Sequence, residues 1–325
     1  MLLYLLLSFL LSPSDRREAL EARIRSIAQT AGGTVGVSVL HVESGRGASL
    51  RANESFPMAS MFKLPVAVEL LRRVDRGTVR LDQKIALTAG DMRVGHSPIA
   101  ERAPSGGITM SIGELLESML VDSDNTAADV LLPLAGGPEI IRAQLEEAGF
   151  ADIRVDRSEA ELALDFFGVD PVPPRASWSL VTFRRLVDAV PPARRREAAA
   201  RFLADPRDTA TPDAMAKLLV SIERRDRLSP ESAARLLALM ARTRTGAARI
   251  KGLLPAGTEV AHRTGLCGDC EGINACTNDA GIVTLPGRVG HLAIAVFVRG
   301  SDRDLGEREK AIARIARAAY DHWMR

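Results

Sequence analysis

Apolar residues recur every three to four positions between Ser14 and Gln29, at Leu20, Ile24 and Ile27, and the run stops at Gly32-Gly33. That spacing predicts an amphipathic helix. From Thr34 to Val42 the pattern becomes alternation, with Val35, Val37 and Val39 set between smaller residues, which predicts a strand. Gly45-Arg46-Gly47 turns the chain into a second short strand. Between Ser60 and about Val220 the pattern is almost wholly helical, with helices expected over 60–76, 111–120, 124–135, 138–148, 178–189, 193–204 and 212–225. The segment 150–177 interrupts them with polar text ending in Asp170-Pro171-Val172-Pro173-Pro174; a long loop inside a compact helical region is more often functional than not. Beyond Ser229 come a further helix, strands near 258–265, 273–285 and 291–299, and an amphipathic helix over 305–323.

Strands at both ends and helices between them imply a discontinuous architecture. Segments 14–59 and 226–325 are expected to form one α/β lobe, and 60–225 a helical lobe. The strands of 258–299 read as consecutive hairpins, so the sheet is expected to be antiparallel. A cleft between the lobes is the default place for a ligand.

The balance of 43 basic against 41 acidic residues, net charge +2, obliges no face to be strongly basic and argues against a nucleic-acid partner. With 46% hydrophobic and 26% charged residues the composition is that of a globular protein, neither disordered nor polytopic in a membrane. Residues 2–11 are apolar except Ser8, and the first charge is Asp15. The run is too short for a membrane span, which takes about 20 apolar residues. It fits the apolar region of a secretory signal, so 1–13 is read as an export leader, against the alternative of a short buried helix or surface anchor. Cys267, Cys270 and Cys276 fall within ten residues. A local disulfide or free thiols is expected, with the pairing left open; half of a zinc site is the alternative, short of ligands unless Cys276 joins His262 or His291.

Lysine is rare, with five residues at 63, 84, 217, 251 and 310, so Ser60-Met61-Phe62-Lys63 stands out. Serine at a helix start is ordinarily an N-cap. Three residues apart on a helix, however, Ser60 and Lys63 share a face, and a hydroxyl nucleophile needs a base within hydrogen-bond reach. A buried amine with a lowered pKa can serve. Ser123-Asp124-Asn125 reads either as another helix cap or as a proton relay with an amide-binding Asn. His262-Arg263-Thr264-Gly265 reads either as a strand entering a hairpin or as a cation, a hydroxyl and a strand edge offered to an acyl substrate.

Together, in this order, the three motifs resemble the S-x-x-K, S-D-N and K-T-G set of class A β-lactamases and penicillin-binding proteins. The resemblance to class A β-lactamases extends over roughly 20–323, through Arg157-Ser158-Glu159-Ala160-Glu161-Leu162, Thr211-Pro212, the run from Thr245-Gly246 to Pro255-Ala256-Gly257, and Thr277-Asn278-Asp279. It implies an α/β (α+β) fold in which a five-stranded antiparallel sheet flanked by helices meets an all-helical lobe, with an Ω-like loop at about 150–177. By the same resemblance Ser60 is the acylated nucleophile, Lys63 and Glu159 share its activation, and Glu159 drives deacylation. Ser123 relays a proton to the departing nitrogen, Arg263 and Thr264 hold the substrate carboxylate, and Asn125 takes its side-chain amide. The backbone N–H groups of Ser60 and Leu266 form the oxyanion hole. No metal or cofactor is implied, and the expected partner is a small β-lactam substrate acted on by an exported monomer without stable membrane insertion.

Five positions depart from the family's usual text. Arg263 stands for Lys, Leu266 for a small residue, Ala160 for Pro, Ala163 for the Asn that helps hold the hydrolytic water, and His96 for Tyr in a Tyr-Ser-Pro run. The loss of the Pro and the Asn resembles the extended-spectrum branch. The rival readings are a D,D-peptidase or transpeptidase, from which Glu159 discriminates, and a penicillin receptor that acylates and stalls.

Overall fold

The computed structural model describes residues 13–174, 177–270 and 272–325. The expected leader lies outside them except for Pro13.

The strands are β1 (Thr34–His41), β2 (Gly47–Leu50), β3 (Phe56–Pro57), β4 (Lys84–Thr88), β5 (Gly106–Ser111), β6 (Thr209–Ala210), β7 (Val260–Leu266), β8 (Asp269–Cys270), β9 (Ile273–Leu285) and β10 (Gly290–Ser301). Five of them form an antiparallel sheet in the order β2-β1-β10-β9-β7, and β8 adds a two-residue pairing at the start of β9. The helices are α1 (Pro13–Ala28), α2 (Lys63–Asp75), α3 (Pro98–Arg102), α4 (Ile112–Glu117), α5 (Asn125–Leu134), α6 (Gly137–Glu147), α7 (Glu159–Phe167), α8 (Leu180–Asp188), α9 (Pro192–Ala204), α10 (Pro212–Glu223), α11 (Pro230–Ala241) and α12 (Leu305–Trp323).

The two-residue period of a strand explains the layering. Val35, Val37 and Val39 of β1 and Ile294, Val296 and Val298 of β10 point to one side, where they pack with Leu20 and Ile24 of α1 and Ile312 and Ile315 of α12. The intervening Ala293, Ala295 and Phe297, with Ala280 and Ile282 of β9, face the other way into a larger core shared with α2, α5, α10 and α11. Both faces are therefore covered, and the central strands read as nearly continuous apolar text.

Two features differ from the sequence expectation. The region expected to be helical contains β4 and β5, paired with a register shift at Leu87/Thr88. Gly106 sits at φ +72° there, and a Cβ on it would lie 2.4 Å from the Thr88 carbonyl carbon, so this turn requires glycine. The segment 150–177 is not irregular throughout, because α7 forms inside it. Ser158 caps α7 by accepting from Glu161 N while the Glu161 carboxylate accepts from Ser158 N, a reciprocal capping box.

Candidate active site

The chain reaches Ser60 through a short 3-10 turn, Ala59–Phe62, before α2 begins at Lys63. Ala59 holds φ +46°, a left-handed conformation that side chains disfavour. The turn is pressed against β7: a Cβ on Gly265 would lie 2.3 Å from the Met58 carbonyl oxygen. Asn278 of β9 fastens the approach by donating from Nδ2 to the carbonyls of Pro57 and Met58. These contacts set Ser60 beside the outer edge of the sheet.

Ser60 does not cap a helix. Its Oγ is 3.0 Å from Lys63 Nζ and 3.2 Å from Glu159 Oε1. Lys63 is fully buried, and its ammonium is also within reach of Glu159 Oε1 at 3.0 Å, Ser123 O at 2.8 Å, Ser123 Oγ at 3.4 Å and Asn125 Oδ1 at 2.6 Å. Burial pushes the Lys63 amine below the ordinary lysine range; Glu159 pulls it back up and the Arg263 cation pushes it further down.

In the second motif it is Asp124 that caps α5, accepting from Ala127 N at 2.9 Å. Ser123, at φ +64°, is thereby turned toward Lys63. Asn125 is spanned between Lys63 and the Val94 carbonyl, to which its Nδ2 donates at 3.1 Å.

β7 carries the third motif. Thr264 and Leu266 line the cleft, Leu266 with 49% of its surface exposed, and Thr264 Oγ1 is 2.5 Å from Thr245 Oγ1. Arg263 points the other way and is fully buried. It donates from Nε to Ser60 O at 3.1 Å and from its terminal nitrogen to Ser123 Oγ at 2.6 Å, and burial pushes its pKa down to about 10. Arg263 therefore meets the cleft residues from behind, at Ser60 O and Ser123 Oγ, and is not part of the cleft wall. Among the described residues the arginine lining that wall is Arg249, held by Glu309 at 3.0 Å and by the carbonyls of Gly265 and Asn278. Sequence reading missed it because its partners are remote in the chain.

Glu159 arrives on the first turn of α7, where its N–H donates to Asp129 Oδ1 at 2.7 Å. The cleft holds about 450 Å³, lined also by His96, Ala163, Phe166 and Phe202. At its mouth Cys267 is joined to Cys276 by a disulfide, so Cys267 is no half of a zinc site. Among the described residues no group of three or more His, Cys, Asp or Glu is arranged to hold a metal.

In chemical terms, a hydroxyl stands between an amine and a carboxylate in a concave site beside a strand edge, an arrangement suited to acyl transfer to serine. Comparison with known proteins agrees with that chemistry. The sequence family described as "Beta-lactamase enzyme family" matches residues 19–323. β-Lactamase VEB-1 of Pseudomonas aeruginosa is 30% identical over 94% of this chain and 90% of its own. Extended-spectrum β-lactamase PER-1 of the same organism is 32% identical over 94% and 88%. Among solved structures, TLA-3 extended-spectrum β-lactamase superposes with a TM-score of 0.79 at 29% identity, covering 95% of this chain and all of that one. A β-lactamase from Chitinophaga pinensis gives 0.78 at 33%, covering 93% and 98%. The chain belongs to the β-lactamase enzyme family, in its class A serine branch.

Proposed function

We propose that Ser60 is the residue acylated by a β-lactam and that Lys63, Ser123 and Glu159 move the protons. The observation that carries this assignment is the placement of Ser60 Oγ within 3.2 Å of both Lys63 Nζ and Glu159 Oε1, inside the range a general base requires. In acylation the Ser60 oxygen bonds to the lactam carbonyl carbon while its proton passes to the Lys63–Glu159 pair. The ring C–N bond then breaks, and Ser123, in contact with Lys63, delivers a proton to the nitrogen. In deacylation Glu159 takes a proton from water as it attacks the ester, and Ser60 leaves with a proton returned. Backbone N–H groups of Ser60 and Leu266 are assigned to the developing oxyanion.

Thr264 and Thr245 offer hydroxyls to the substrate carboxylate. Arg249 supplies positive charge on the cleft wall, and Arg263 supports it from behind. Asn125 is assigned to the side-chain amide and Leu266 to the apolar contact at the cleft edge. The reading takes 14–325 as one catalytic unit acting as a monomer, with lobes 14–59/226–325 and 60–225. Export is part of the same reading: the Cys267–Cys276 disulfide supports an oxidising compartment, and no described helix is long and apolar enough to cross a membrane.

The test is hydrolysis of a chromogenic cephalosporin by purified protein, beside Ser60→Ala and Glu159→Ala. Turnover is expected from the parent protein, none from Ser60→Ala, and a trapped acyl-enzyme from Glu159→Ala. A parent protein that acylates once and stops would place it with the penicillin receptors.

A further inference from the structure

Asp129 of α5 is an unusual partner for the start of a catalytic helix. Its carboxylate is almost fully enclosed and accepts from two successive backbone N–H groups, Glu159 N at 2.7 Å and Ala160 N at 3.2 Å. Those are first-turn donors of α7, which have no partner within the helix. A carboxylate with two acceptor oxygens satisfies both at once, which a single amide oxygen does less well. The arrangement also places a second buried carboxylate close to Glu159. Burial pushes the Asp129 carboxyl above its ordinary range, the Glu159 charge adds to that, and the Arg93 cation opposes it.

Arg93 meets this need. Its Nε donates to Asp129 Oδ2 at 2.5 Å, and its terminal nitrogen donates to the carbonyls of Gly90 and Met92 at 2.7 and 3.2 Å. Its guanidinium carbon lies 5.1 Å from the centre of the Trp178 ring, within cation–π range. Trp178 comes from the segment between α7 and α8. It is held by its Nε1 donating to the Pro173 carbonyl and packs in a small core with Ala160 and Leu164 of α7. One chain of contacts thus runs from Trp178 through Arg93 and Asp129 to the backbone of Glu159.

We infer that Arg93, backed by Trp178, is a positioning residue for deacylation: it keeps Asp129 ionised and oriented, so that Asp129 holds the Glu159 backbone and fixes where the base meets its water. This inference rests on the reading of Glu159 as the deacylation base. Without Arg93, Asp129 takes up a proton or turns away. A protonated oxygen facing Ala160 N–H sets two donors against each other, and α7 shifts at its first turn. A displacement of about 1 Å at a reacting group can cost on the order of a hundredfold in rate.

The experiment measures acylation and deacylation rate constants separately, by rapid quench and intact mass with one penicillin. The proteins are the parent, Arg93→Met, Arg93→Lys, Asp129→Asn, the Arg93→Met/Asp129→Asn pair and Glu159→Ala. Arg93→Met is expected to slow deacylation about tenfold to a hundredfold and acylation less, because Lys63 remains in place. Arg93→Lys restores most of the loss. In the Asp129→Asn background Arg93→Met adds less than about threefold, since two residues acting through one contact are not additive. If Arg93→Met does not fold, Arg93→Gln takes its place with the same expectation. Parent-like deacylation in folded Arg93→Met overturns the inference. So does an equal loss in both backgrounds, which would reduce Arg93 to a brace for residues 90–92. Glu159→Ala separates the two levels. If it deacylates like the parent, the base assignment itself fails and this inference falls with it; if it stalls while Arg93→Met does not, only the positioning role is lost.

Discussion

Arg157 and Asp208 lie 51 residues apart in sequence and 2.6 Å apart in space, Nε to Oδ2, both almost wholly buried. Asp208 also accepts from the backbone N–H groups of Asp156 and Arg157. The pair closes the excursion that carries α7, α8 and α9, and so holds Glu159 over Ser60. Removing one partner leaves a buried carboxylate without its counter-ion, which costs about 3–5 kcal/mol. Arg157→Ala is therefore expected to lower the melting temperature by about 4–8 °C at pH 7.5. The sign of the pH effect follows from burial, which already pushes the Asp208 carboxyl above its ordinary range despite Arg157. Without Arg157 it rises further, so the folded variant takes up a proton before the unfolded chain does, and acid relieves the penalty. The deficit against the parent protein should shrink between pH 7.5 and pH 5, and differential scanning at the two values reads it directly.

Ser60 should be the one residue that β-lactams acylate. Its hydroxyl stands between a buried amine and a carboxylate, a setting that activates it over an ordinary surface serine. Penicillin treatment of the Glu159→Ala protein should give a single adduct by intact mass, mapping to the peptide that contains Ser60. An adduct that survives Ser60→Ala would place the nucleophile elsewhere.

Much of this was legible because the chemistry is local in sequence. Ser60 and Lys63 are one helical turn apart, and helices such as α6, α9 and α12 announce themselves by spacing within about two residues of their ends. What stayed hidden depends on distant partners. Asp129 and Arg249 look like ordinary helix and loop residues until Arg93 and Glu309 are brought to them. The cysteine pairing was open because it is set by strand register: Leu266 lies opposite Thr277, and Cys267 N donates to the Cys276 carbonyl one step further on. β4 and β5 were missed because their short apolar alternations pair across an intervening segment that includes α3. The helix α7 was readable in principle from Ser158-x-x-Glu161, the capping signature, but the surrounding polar and proline-rich text outweighed it.

The Cys267–Cys276 disulfide spans nine positions at the edge of the cleft. Closing so short a loop is worth about 2–3 kcal/mol in the chain-entropy account. Cys267→Ser/Cys276→Ala is expected to melt about 3–4 °C lower, and a reductant should lower the parent protein by a similar amount while leaving the double variant unchanged. A reductant effect of equal size in both would assign the change to something other than this bond.

Arg263 offers the sharpest test of how charge is arranged around Ser60. It is fully buried behind Ser60, donating to Ser60 O and Ser123 Oγ, and its cation pushes the Lys63 amine down. Where Lys63 of the proposed Lys63–Glu159 pair accepts the Ser60 proton, it does so only as the neutral amine. Arg263→Met removes the cation, so the Lys63 pKa rises, less of the amine is neutral at a given pH, and the acid limb of kcat/KM moves to higher pH. The loss is expected to be greatest below neutrality and to narrow as pH rises, on top of a pH-independent loss from the two broken hydrogen bonds. Truncating such a desolvated group costs about 2 kcal/mol or more, which is about thirtyfold in kcat/KM. Arg263→Lys keeps the positive charge but lacks the fork that reaches both oxygens. It should retain the parent's acid limb while losing a smaller, pH-independent factor. Profiles of kcat/KM from pH 5 to 10 for the three proteins separate the two contributions. If the Arg263→Met profile lies parallel to the parent's across the whole range, Arg263 does not tune Lys63 and acts only by holding Ser123.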